Sequence, residues 1–198
     1  MKKYLSYILT LGVFLLLLTG CGSEASKDPD TNITISKDGS LSSIIIESFG
    51  ESYYDVNELE TEINEEISAY NLKNPDGVKL NKVSLENDVV TVRMEYASSD
   101  DYSSFNSEDF YAGSIEDALN KGINISEILT DVNDKTKTIS SSDIKDMTKE
   151  KILITDFMGT VYLPGKALYI SDNVTVFSDG KSVKNNGLSE DAYIVIYK

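Results

Sequence analysis

The sequence predicts an α+β domain built largely on antiparallel sheet, and three patterns carry that expectation. Between Val89 and Tyr96 the side chains of Val90, Val92, Met94 and Tyr96 alternate with Thr91, Arg93 and Glu95, the period of a strand with one buried face. Between Val56 and Tyr70 the residues Val56, Leu59, Ile63, Ile67 and Tyr70 recur every three or four positions, the stripe of an amphipathic helix. From Lys151 onward short β-rich runs alternate with turn signals containing Gly, Asn or Pro.

Each element follows from local chemistry. Ile33 and Ile35 alternate with polar neighbours, Asp38-Gly39 supplies a hairpin turn, and Leu41 to Phe49 answers as the second strand. Asp55 is a helix N-cap, with Glu58 three residues on in a capping-box arrangement. The Asn74-Pro75-Asp76-Gly77 cluster ends that helix, and Asn87-Asp88 turns a second hairpin. The first half is therefore expected as hairpin, helix, hairpin, with the helix laid across one face of an antiparallel sheet. In the middle, Ser98–Asn106 and Ser114–Lys121 suggest short helices, a third is expected near Ser126–Val132, and Ser140 to Asp143 opens another around Ile144 and Met147. The strands expected at the C-terminal end are Lys151–Phe157, Thr160–Leu163, Ala167–Ile170, Val174–Phe177 and Ala192–Tyr197, arranged as a meander or small barrel-like sheet.

The N-terminus has a different character. Lys2 and Lys3 precede an apolar run from Leu5 to Leu18, short for a membrane span, which needs about 20 apolar residues, and typical of a secretory signal. Leu18-Thr19-Gly20-Cys21 resembles the lipobox of bacterial lipoproteins. That resemblance implies a signal peptide over residues 1–20 and a diacylglyceryl group, with palmitate-type chains, on the Cys21 thiol. Cys21 would become the first residue of the mature chain, and two acyl chains suffice for stable membrane attachment. Residues 21–31 would then be the lipidated Cys and a small, polar spacer, and residues 32–198 a single extracytoplasmic α+β domain held at the cell membrane. The remainder is similar to lipoproteins of gut Firmicutes in Tyr53-Tyr54 ahead of the acidic helix, Met94-Glu95-Tyr96-Ala97-Ser98, Pro164-Gly165-Lys166 and the terminal Tyr-Ile-Val-Ile-Tyr-Lys. This second resemblance implies no activity and no site.

Composition excludes several function classes. With no His there is no imidazole base, so Ser-His-Asp and Cys-His catalysis and His-containing zinc sites are ruled out. One Cys permits no internal disulfide. A net charge of −15, which becomes −17 once Lys2 and Lys3 are removed, argues against nucleic acid as a partner. The same acidity repels the domain from an anionic bilayer surface, so a tethered chain would stand off from it.

Candidate functional residues are few. Glu58, Glu62, Glu65 and Glu66 form an acidic ridge opposite the apolar stripe, expected either to meet a cation or basic partner or to remain a solvated face. Calcium loops are suggested weakly by Asp28 to Asn32 and by Asp131 to Asp134, but neither has the Gly and distal Glu of an EF-hand, so no metal and no cofactor are expected. Tyr53, Tyr54, Tyr102 and Tyr111 are candidates for stacking on a glycan or protein ligand. The leading expectation is a non-catalytic, membrane-anchored domain contacting an envelope component or extracellular ligand. A hydrolytic, carbohydrate-active lipoprotein using paired carboxylates is the first alternative. A structural partner of a membrane complex, marked by a large exposed apolar patch, is the second.

Overall fold

The structure is a computed structural model and describes residues 30–198. The described part begins with β1 (Asn32–Ile35), which turns through Asp38 and Gly39 into β2 (Leu41–Ser48). The Asp38 carboxylate accepts the Ser40 amide (3.1 Å), and Gly39 takes φ +91°, a conformation that costs a glycine little. Helix α1 (Val56–Asn71) follows, and Asp55 accepts the amides of Asn57 (2.8 Å) and Glu58 (3.4 Å), so the N-cap is made by one side chain. Its buried stripe is Leu59, Ile63 and Ile67. At the other end the Asn71 side chain bonds both backbone groups of Val78, which pins the helix to β3 (Val78–Glu86). Asn87 and Asp88, both at positive φ, turn β3 into β4 (Val89–Tyr96).

Ser98 caps α2 (Ser99–Asn106), which ends where Ser107 adopts left-handed geometry at φ 58°. The chain continues through β5 (Phe110–Ser114), α3 (Ile115–Asn120), β6 (Leu129–Asp131), β7 (Thr138–Ile139) and α4 (Ser141–Asp146). The strands β8 (Lys151–Thr155), β9 (Thr160–Tyr162), β10 (Ala167–Ile170), β11 (Val174–Val176), β12 (Ser182–Asn185) and β13 (Tyr193–Tyr197) complete it. The class is mixed α+β, with 13 strands in two sheets.

One sheet has seven strands in the order β11-β12-β9-β1-β2-β4-β3, and the other six in the order β5-β8-β13-β10-β6-β7. All pairings are antiparallel except β1 with β9, where Ile33 lies opposite Val161. The inner face of the seven-stranded sheet carries Ile33, Ile35, Leu41, Val90, Val92, Met94, Tyr96, Val161 and Val183. It shares one core with the α1 stripe and with Leu153, Tyr193, Val195 and Tyr197 of the second sheet. The opposite face of the second sheet, with Ile152, Ile194 and Ile196, packs on Ile115 and Ala118 of α3, Ile144 of α4 and Ile125. All five residues of β13 are buried as a result, which is why this strand is an unbroken apolar run while β4 alternates.

Two sequence expectations are corrected. The segment near Ser126–Val132 is not a helix: Leu129–Asp131 is β6, paired with β10 and β7, and cross-strand bonding to partners distant in sequence outweighs its local pattern. The C-terminal strands are not one meander or barrel, because β9, β11 and β12 extend the first sheet while β8, β10 and β13 lie within the second. The strands β5, β7 and β12 carry too little periodicity over their short lengths to be foreseen as strands.

Candidate functional site

The four candidate tyrosines do not come together. Tyr53 and Tyr54 lie between β2 and α1, where Tyr54 stacks on Phe49 (ring centroids 4.6 Å, planes 20° apart) and Tyr53 meets Tyr54 edge-on at 4.8 Å. Tyr53 is 70% exposed, so the doublet offers one open ring above a packed one. Tyr102 and Tyr111 are buried. The Tyr102 ring sits 4.9 Å from both Tyr96 and Phe110, and the Tyr111 hydroxyl donates to the Ser114 carbonyl at 3.0 Å. Their rings serve the core and a β5 turn, so of the four candidates only the Tyr53–Tyr54 doublet offers aromatic surface to a ligand.

The acidic ridge is arranged as its spacing requires. Glu58, Glu65 and Glu66 are exposed and Glu62 is half-buried, while Leu59, Ile63 and Ile67 turn inward. Burial, and then the negative charge of Glu62, pushes the Glu66 carboxyl above the ordinary range. None of the four carboxylates is in an ion pair among the described residues. No group of three or more His, Cys, Asp or Glu side chains among the described residues is placed to hold a metal ion. Asp131, in the loop weighed for calcium, instead accepts the amides of Asn133 (2.7 Å) and Asp134 (3.1 Å), which is turn chemistry.

A polar seam not anticipated from the sequence lies at the edge of the core beside α2, with Tyr102 and Tyr193 buried, Glu108 half-buried, and Asp109 and Asp156 exposed. The Tyr102 hydroxyl donates to Glu108 at 2.6 Å. Burial raises the Glu108 carboxyl, the Tyr102 hydrogen bond partly opposes that, and the charge of Asp156 raises it further. Asp156 is itself raised by burial and by Asp109, and the fully buried Tyr193 hydroxyl near it has no hydrogen-bond partner. The only sequence signal was the acidic pair Glu108-Asp109, and nothing local placed Asp156 or Tyr193 beside it. Outside this seam a groove of about 610 Å³ is lined by Asp100, Ser103, Asp109, Tyr111 and Lys121, among others. Asp100 is held there by Lys121 (2.7 Å), whose ammonium also lies 5.4 Å from the Tyr111 ring centre. The groove can hydrogen-bond a polar ligand, but its Lys121 cation is already paired.

A second concavity opens between the sheets at one end of the domain. It measures about 410 Å³, and its lining includes Lys37, Asp38, Gly39, Lys151, Gly165 and Lys198. Gly165 is obligatory there, because a β-carbon would fall 1.6 Å from the Lys198 carbonyl oxygen.

Fold and sites together define a two-sheet α+β domain with an acidic helix face and two concavities of mixed polar and apolar lining. Compared with known proteins, the chain matches no family model, no curated protein and no solved structure. The lipidation expected at Cys21, the signal expected over residues 1–20 and most of the spacer expected over 21–31 lie outside the described residues. No helix among the described residues is long and apolar enough to cross a membrane.

Proposed function

We propose that this chain is an extracytoplasmic lipoprotein, anchored in the cell membrane through Cys21, whose domain binds an envelope component or extracellular ligand without catalysing a reaction. The observation that carries the reading is Leu18-Thr19-Gly20-Cys21 placed directly behind a charged and apolar leader, with Cys21 the sole cysteine of the chain. Thioether lipidation accounts for a lone thiol that would otherwise be a liability in an oxidising exterior. The position of β1 supports the reading, since the first strand starts at Asn32, where the polar spacer stops. In this reading the β1–β2 hairpin, α1 and the β3–β4 hairpin act as one unit that turns the acidic helix face outward. A binding role also agrees with a surface whose concavities mix polar and apolar lining and whose most exposed aromatic ring is Tyr53.

Phase partition of the full-length protein in cells tests the anchor. Wild-type chain should enter the detergent phase and label with palmitate, whereas Cys21→Ser should do neither and should appear in the aqueous fraction. Detergent-phase partition of a Cys21→Ser chain whose leader has been cleaved normally would overturn the reading.

A further inference from the structure

The cations of this acidic chain are not evenly spread. β1 runs from Asn32 near Asp30 to the Ser36–Ser40 turn, and β9 runs parallel to it toward Pro164-Gly165. Lys37 and Lys166 therefore lie at the end of the sandwich remote from Asp30. Lys198 joins them, because its backbone exchanges hydrogen bonds with Lys166 (3.0 Å each way). Lys151 opens β8 opposite Tyr197, and Lys181 precedes Ser182, which pairs with Tyr162 on β9. None of these five lysines pairs with a carboxylate of the described residues, although acidic side chains outnumber basic ones by 33 to 18 in the whole sequence. The two aspartates of the neighbouring turns are committed locally. Asp38 accepts the Ser40 amide and hydroxyl, and Asp179 accepts the Lys181 and Ser182 amides.

Three of the lysines, Lys37, Lys151 and Lys198, line the cleft of about 410 Å³ between the sheets, and Asp38 is the sole carboxylate side chain lining it. That volume suits a small ligand rather than a polymer. We propose that this cleft binds a small ligand carrying phosphate groups. The inference rests on the binding reading above and names a ligand chemistry for it. Lysine serves phosphate as a compact point charge, and three lysines around one cleft concentrate positive charge where a phosphate group would sit. The overall acidity is no obstacle to a small ligand. Solvent-exposed charges beyond about 8–10 Å are screened at physiological salt, so the ligand responds to the lysines nearest to it. A long polyanion would meet the acidic remainder of the surface and be repelled.

Titration calorimetry of the full-length protein with sodium tripolyphosphate tests the site. Wild-type protein should bind saturably at low salt and more weakly at physiological salt. Lys37→Gln/Lys151→Gln should weaken binding about ten-fold or more, near five-fold for each lost contact charge. Lys37→Arg/Lys151→Arg should bind measurably, and Lys79→Gln/Lys82→Gln, on the outer face of the seven-stranded sheet, should bind as wild type. All these side chains are exposed, and matching thermal melts establish that the variants are folded. The inference is overturned by absence of saturable binding to wild type, by equal weakening in both Gln pairs, or by citrate binding as tightly as tripolyphosphate. Each of these leaves the anchored binding reading standing, since its own test is release of the Cys21→Ser chain.

Discussion

At the scale of single residues, the structure separates side chains that define a backbone path from side chains that present chemistry. Gly165 belongs to the first kind. Its α-hydrogen faces the Lys198 carbonyl across the joint between β10 and the end of β13, and any side chain would displace backbone rather than a flexible tip. Gly165→Ala should lower stability by about 1–3 kcal/mol, the usual cost of forcing volume into a packed joint, and equilibrium denaturation in urea would measure it. An unchanged midpoint would show that the two strand ends separate freely. Tyr53, 70% exposed above the packed Tyr54 ring, is of the second kind, whereas buried Tyr102 and half-buried Glu108 satisfy each other at 2.6 Å beside an aromatic cluster.

Among the elements, α1 shows how one sequence pattern carries two messages of different strength. Its apolar stripe fuses with the sheet core, so Ile63→Ala, at a side chain only 4% exposed, should cost about 2–5 kcal/mol of stability. Its acidic ridge is exposed, and Glu66→Gln should raise stability by about a few tenths of a kcal/mol by removing the repulsion from Glu62. Denaturation midpoints of the two variants would move in opposite directions. If Glu66→Gln destabilised the fold instead, the ridge would be making a contact that the isolated chain hides. The α1 stripe, the Asp55 cap, the positive-φ turn at Asn87-Asp88 and the alternation of β4 are legible in sequence, because the interactions that form them lie within a few residues. The strands at Leu129–Asp131, β5, β7 and β12 are not legible in sequence, because two to five residues hold too few periods to distinguish strand from helix or loop.

For the whole molecule, charge sets the pH dependence. Glu47, Glu66, Glu108, Glu127 and Asp156 are raised above their ordinary range, with burial the largest cause in each. Between an unfolded carboxyl's value and its raised folded value the native state holds more protons, so stability falls as pH rises through that window. Asp38, Asp55, Asp134, Asp143 and Asp179 are lowered by hydrogen bonds to turn or cap groups. Their contribution is present above the unfolded value of 3.8 and is lost as pH falls through the lowered folded values. The melting temperature should therefore rise as pH falls from neutral through the raised carboxyls, then fall once pH drops below the unfolded aspartate value of 3.8. Calorimetric scans across that range would reveal the maximum, and Glu108→Gln should flatten the neutral-side slope. A Tm that declined steadily from pH 7 downward would contradict the raised carboxyls.

The amino-acid sequence by itself determined the α+β class, the places where the chain turns, and which face of α1 and of β4 is apolar. Those properties depend on neighbours in the chain: a carboxylate reaching an amide two or three residues away, or a side-chain period of 2 or 3.6. The tertiary structure alone decided which strands share a sheet, that β13 is covered on both sides, and that Tyr102 and Tyr111 are core rather than surface. It also decided that Glu108 lies within reach of the Asp156 charge and that Lys37, Lys151 and Lys198 gather around one cleft. These outcomes rest on pairings between segments more than a hundred residues apart, such as β1 with β9, and no local pattern encodes them. The net charge of −15 is a property of the composition, whereas the cationic end of the domain exists only once the strands are paired.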